Sequence, residues 1–207
     1  MTKQSASQTP AASPIGRVLS SGAAEFLFGC AGAQGSPLRL GAFVQAETEQ
    51  ACAIGIVADI RVVDDAFARQ LVAGDAKADY IQEQRDRRLT PLEVRALHAG
   101  YIFPGGDVFH RLPPQPPSAL EAVYACDAER VRAFLRDARG GWNFSFLSIL
   151  IAAGVSNEVL AECVWQAAAA QPADPAGRFR QEAARELTRL LSVDLQRLYS
   201  LLPQLAG

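Results

Sequence analysis

The run ACAIGIVADIRVV at residues 51–63 constrains the chain more than any other stretch. Taken with period two, Cys52, Ile54, Ile56, Ala58, Ile60 and Val62 fall on one face and are all apolar. Ala53, Gly55, Val57, Asp59 and Arg61 fall on the other, which is mostly small or polar. That is the pattern of a long strand with one buried side. It cannot stand alone: ordering each backbone unit costs about 1–2 kcal/mol, while a fully buried Ile or Val returns about 1.5–3 kcal/mol. The strand needs sheet neighbours and a second layer.

Candidate neighbours flank it on both sides. Residues 15–19 (IGRVL), 25–28 (EFLF) and 41–46 (GAFVQA) read as three short strands, separated by Ser20-Ser21-Gly22 and by a glycine-rich loop at 30–37. After Asp64-Asp65 the period changes, and residues of about 65–88 read as a helical insertion carrying Phe67, Leu71, Val72, Tyr80 and Ile81. Strand pattern returns at 92–103. Pro104-Gly105-Gly106-Asp107 is a turn, and 108–112 is the return strand of a hairpin. In Pro113-Pro114-Gln115-Pro116-Pro117, four prolines in five residues cannot donate to a ladder, so the sheet is expected to end there and a linker to begin.

The remainder reads as helical. Asp127 is placed to cap a helix carrying Val131, Phe134 and Leu135, closed by Gly140-Gly141. The apolar run at 144–153 ends at Gly154, a good residue just past a helix end. Ser156 caps a helix in which Leu160, Cys163, Val164, Ala167 and Ala168 share a face. Asp174-Pro175 reads as an N-cap followed by proline at the first helical position. Phe179, Ala183, Leu187, Leu190 and Leu191 then form one face, which Leu195, Leu198, Leu201 and Leu202 continue or follow in a short final helix.

Composition bounds the function. With 49% hydrophobic and 20% charged residues in 207, the chain is an ordinary globular one with enough length for a real core. A net charge of −2 does not favour a wholesale nucleic-acid binder. Cys30, Cys52, Cys126 and Cys163 form no CxxC pair and read as reduced, mostly buried thiols. His98 and His110 stand at no zinc-ligand spacing from them. The N-terminal residues carry no apolar core of a secretory signal. The run at 144–155 is about a dozen residues, short of the roughly 20 that span a bilayer. A cytoplasmic protein with no membrane contact is expected.

No P-loop, dinucleotide fingerprint, nucleophile elbow, zinc-protease or EF-hand pattern occurs. His98 and His110 are expected to face solvent or to be hydrogen-bonded within the sheet, and Asp64-Asp65 to end a strand and cap a helix rather than hold a metal. No catalytic, cofactor-binding or metal-binding residue is assigned. The candidate interaction residues are Arg85, Arg87, Arg88 and Trp142. The three arginines, with Asp86 among them, can contact a phosphate backbone or an acidic partner, or simply form a solvated helix end. Arg130, Arg132, Arg136 and Arg139 read as a solvated helix face. Trp142 follows two glycines and is expected to be the more exposed of the two tryptophans, which makes it an interface candidate.

IGRVLSSGAAEFLF at 15–28, RLGAFVQAE at 39–47 and AIGIVADIRVVDD at 53–65 together resemble the HAS-barrel family, the N-terminal module shared by HerA-type DNA-translocating ATPases and rotary ATP synthase subunits. PLEVRALHAGYI at 91–102 and RLPPQPPSALEAVY at 111–124 are similar to the far side of that barrel and its exit segment. The resemblance implies a small closed or partly open six-stranded β-barrel over 14–125; with the helical insertion, a tail at 1–13 rich in Ser, Thr, Gln and Ala that is expected to be disordered, and the all-helical region read at 126–207, the expected fold is α+β. In the translocating ATPases such a barrel leads into a motor with a nucleotide-binding loop, which this chain lacks, so the motor's activity does not carry over. The implied role is non-enzymatic: an assembly subunit without a cofactor, docking on a HerA-like ATPase ring or its nuclease partner, and compatible with an oligomer. The alternative is a small-barrel nucleic-acid binder using the arginine cluster.

Overall fold

The computed structural model describes residues 13–32, 38–62, 90–137 and 139–206. Its strands are β1 (Gly16–Ser21), β2 (Glu25–Gly32), β3 (Phe43–Glu47), β4 (Cys52–Val62), β5 (Thr90–Ile102), β6 (Val108–Phe109) and β7 (Ala122–Ala125). They run in the order β2-β1-β7-β3-β4-β5, and β5 pairs back onto β2, so six antiparallel strands close into a barrel. β6 is a short addition to the far end of β5. The expected tail, the helical insertion at about 65–88 and Asp64-Asp65 lie outside the described residues, apart from Ser13.

The number of barrel strands agrees with expectation, but the sixth is a different one. The hairpin return at 108–112 shrinks to two residues outside the ring, and the sheet does not end at the prolines. Those prolines occupy the connection, where no ladder donor is needed. Once past them the chain re-enters as β7, between β1 and β3: Ile15 N–H donates to the Val123 carbonyl at 2.8 Å, and Val18 N–H to that of Glu121 at 2.9 Å. The Ser21 hydroxyl ties down the proline segment by donating to the Pro117 carbonyl at 2.5 Å.

Two cores lie on opposite sides of β4. Val18, Phe26, Phe28, Ala42, Val44, Ala46, Val57, Val94, Ala96 and Val123 fill the barrel interior. Phe43, Cys52, Ile54, Ile56, Leu97 and Ile102 point out of it, into a second core shared with the helices. The apolar face of β4 is therefore the outer one over its first half, and its small face is the inner one. Phe26 decides this: a Cβ at Gly55 would lie 2.8 Å from the Phe26 ring, so only glycine fits opposite it. The ladder then slips between Val57 and Asp59. One extra residue in β4 reverses the alternation, so Ile60 packs on the barrel interior while Asp59 and Arg61 turn outward.

The helices are α1 (Ala128–Leu135), α2 (Phe146–Ala152), α3 (Asn157–Ala169), α4 (Ala173–Leu190) and α5 (Leu195–Ala206). Asp127 caps α1 by accepting the Arg130 N–H at 2.7 Å, and Ser156 accepts the Val159 N–H at 3.4 Å. Gly154 closes α2 with a φ of 74°. α4 begins earlier than expected: Pro172 is its N-cap, so Asp174-Pro175 fall within the first turn rather than ahead of it. Phe134, Phe146, Leu150, Leu160, Phe179, Leu187 and Leu201 share one cluster with the outward side chains of β3, β4 and β5. The barrel and the helices thus share one continuous apolar core. No described helix is long and apolar enough to cross a membrane.

Candidate functional site

One end of the barrel carries a cleft of about 410 Å³ between the β3–β4 turn and the β5–β6 turn. Glu47, Thr48, Glu49 and Gln50 form one lip, Phe103, Pro104 and Gly106 the other, and Cys52, Ile102 and Arg130 the floor and side. Thr48 sets the first turn: its hydroxyl donates to the Ala51 carbonyl at 2.9 Å and accepts the Ala51 N–H at 3.0 Å. The second turn is closed by Gly106 N–H on the Phe103 carbonyl at 2.8 Å, with Gly106 at a φ of 92° that favours glycine.

Behind the Phe103 lip stands an aromatic stack. Tyr101 and Phe109 lie face to face at 5.3 Å, and Phe103 meets both edge-on, at 5.3 and 5.6 Å. The Arg111 guanidinium sits 4.7 Å over Phe109 and donates to the Tyr101 hydroxyl at 2.8 Å. This packing holds the lip rigid, which is what a binding rim requires. On the opposite side, Arg130 reaches back from α1 to the Gln45 side chain of β3 at 2.7 Å. The cleft therefore brings together an acidic lip, a cation and an aromatic edge.

The thiol in this cleft is not poised for chemistry. Burial, and then the Glu47 carboxylate, push Cys52 up to about 11, while Arg130 pulls the other way. Cys30, Cys126 and Cys163 are likewise raised by burial, and all four cysteines are free.

Arg130 and Arg132 do not form the solvated face expected of them. Arg130 braces α1 on β3, and Arg132 donates to the Ala170 carbonyl at the end of α3 at 2.6 Å. The expectation failed because their partners lie 85 and 38 positions away. Trp142 is half-buried: its ring meets Phe179 edge-on at 5.2 Å and its indole N–H donates to Gln171 at 3.2 Å. It is remote from the cleft's lining. Arg85, Arg87 and Arg88 lie outside the described residues. The sequence offered no signal for the cleft, whose residues come from three separate places and share no spacing.

Both histidines are hydrogen-bonded, the second of the two arrangements expected of them, His98 fully buried and His110 half-buried. His98 lies 5.3 Å from Phe26, with Nε2 set to donate to the Gly22 carbonyl at 3.3 Å and Nδ1 left without a partner. His110 packs on Phe134 at 4.5 Å with the rings tilted by 45°, and its Nε2 lies 2.8 Å from the Phe134 carbonyl. Protonating His98 would add a second N–H with no acceptor, and burial holds it down to about 4, while His110 is lowered in the same sense. The unfolded chain takes up these protons first. Stability is therefore full above the ordinary histidine pKa of about 6.5 and falls as the pH drops towards 4, by about 3 kcal/mol for His98. Urea unfolding at pH 7.5 and 4.5 should show this loss, and His98→Gln should remove most of the histidine-dependent slope.

Together these features define a closed, side-chain-filled antiparallel barrel with a helical bundle on one wall and a polar-aromatic cleft at its rim. No protein-family model matches the chain, and neither does any curated protein.

Proposed function

We propose that the chain is a non-catalytic assembly subunit of HAS-barrel type, docking on a HerA-like DNA-translocating ATPase or on that ATPase's nuclease partner. The observation that carries the reading is where the resembling segments fall. β1, β2, β3 and β4 arise from those segments and are four of the six strands of one closed ring. The ring is filled by Phe26, Phe28 and their neighbours. A filled barrel offers a partner its rim and outer walls rather than a lumen. The rim cleft supplies suitable contact chemistry, with Glu47 and Glu49 for basic groups and Phe103 for an apolar anchor.

Sedimentation of the purified chain with a HerA-type ATPase, and separately with its nuclease, tests this. A complex is expected with one of them. Glu47→Lys and Phe103→Ala should each weaken it about tenfold, within the range of interface anchors; Glu47→Lys should melt close to the parent, while Phe103→Ala should melt lower through loss of its two ring contacts. ATP hydrolysis intrinsic to the purified chain and abolished by a point substitution in it would remove the non-enzymatic reading. Failure to bind either protein would remove the docking one.

A further inference from the structure

The helices cover the outer faces of β3, β4 and the upper part of β5. A different wall, formed by β1, β2, the lower half of β5 and the end of β4, carries two parallel rows of outward side chains. Register places Arg17, Gly29, Glu93 and Arg61 in one row, and Ser20, Leu27, Arg95 and Asp59 in the next. Their inward neighbours, Phe26, Phe28, Val94, Ala96 and Ile60, belong to the barrel core. Glu25, Leu27, Asp59, Arg61, Glu93 and Arg95 rim a depression of about 240 Å³.

In the β5 and β4 columns the charges in adjacent rows are opposite. In β5, Glu93 stands beside Arg95, and in β4, Arg61 stands beside Asp59 and pairs with it at 2.7 Å within the chain. A two-fold axis parallel to the rows and midway between them lays the first row of one copy on the second row of another. Glu93 then faces the second copy's Arg95, and Arg61 its Asp59. The axis generates each pair twice and sets no like charges against each other. One further feature suits this contact. Leu19, the bulged residue of β1, is 53% exposed and lies over Gly29, so Leu19 and Leu27 supply an apolar centre beside the charges. The Arg95 guanidinium reaches Glu25 at 3.4 Å within the chain, and both side chains keep an exposed part.

We infer that this wall is an isologous interface through which two copies of the chain pair. A partner of single sign would place half of its charges against like ones here. A second copy matches Glu93, Arg95, Arg61 and Asp59, and sets Arg17 against the neutral Ser20. The contact is separate from the rim cleft, so loss of partner docking leaves it intact.

Sedimentation equilibrium at low salt is expected to show a dimer that dissociates as salt is raised. Glu93→Arg and Arg95→Glu should each weaken self-association by about tenfold or more, because each creates two like-charge contacts. Mixed together, the two variants should form a heterodimer, since all four contacts become attractive again. Circular dichroism checks their folding. If Arg95→Glu fails to fold, Glu93→Arg and the salt response of the parent decide alone. A parent chain that stays monomeric at low salt overturns the inference. So does a dimer indifferent to Glu93→Arg, or a monomer that captures a polyanion or a basic protein through these same residues.

Discussion

Gly41→Ala is expected to lower the stability of the chain by about 2–5 kcal/mol, the sum of a left-handed backbone cost and a steric one. Gly41 joins the loop before β3 to the helical region, with a φ of 74°. A Cβ there would lie 2.5 Å from the Cys163 backbone nitrogen and 2.7 Å from the Glu162 carbonyl carbon, inside α3. Both are backbone atoms of a packed helix, so neither can step aside. Gly41 N–H also donates to the Val57 carbonyl at 2.8 Å, so a shift of the loop would open the ladder beside β4. Gly154 is the matched control: it has the same φ of 74° but nothing within 4 Å of its Cβ position. Gly154→Ala should cost only the conformational part, about 1–2 kcal/mol. The difference between the two urea midpoints then measures how tightly α3 presses on the barrel. Equal losses would show that the contact yields.

Phe134→Ala is expected to cost about 3–5 kcal/mol, as for other buried aromatic truncations. The ring is fully buried between sheet and helices, 6.3 Å from Phe43, 6.0 Å from Phe146 and 4.5 Å from His110. It also fills the space above Gly100, where a Cβ would come within 2.8 Å of it. The loss should fall on both halves at once, because the second core contains side chains from each. Hydrogen exchange reads them separately: faster exchange in β4 and β5 together with α1 and α2 is expected. Protection retained throughout the sheet would mean that the barrel folds without the bundle.

These two positions differ in how far the sequence announced them. Phe134 stood out as part of the apolar face of a helix capped by Asp127, and the structure keeps both the cap and the burial. Gly41 looked like any glycine at a strand entrance. Its importance comes from α3, more than a hundred positions further on. The same holds at the rim. Gly106 belonged to an evident turn, Phe103 to the end of a strand and Glu47 to the turn after another, yet nothing local joins them to Arg130.

The sequence by itself determined the local elements. β1 to β5 could be located from alternation and turn residues. The helix caps at Asp127 and Ser156 and the stop at Gly154 could be found because each depends on residues within a few positions. Tertiary structure decided what those elements enclose. Closure needs Gly16 to pair with Val123 across the whole length of the barrel region, and the proline segment before β7 concealed that strand. Period two in β4 announced two unlike faces without saying which one is inner. Phe26 answers that, because it leaves room only for glycine at Gly55, and the slip after Val57 turns Asp59 and Arg61 to the outside. A pleated strand records only the difference between its faces. The space available on each side is set by the rest of the fold.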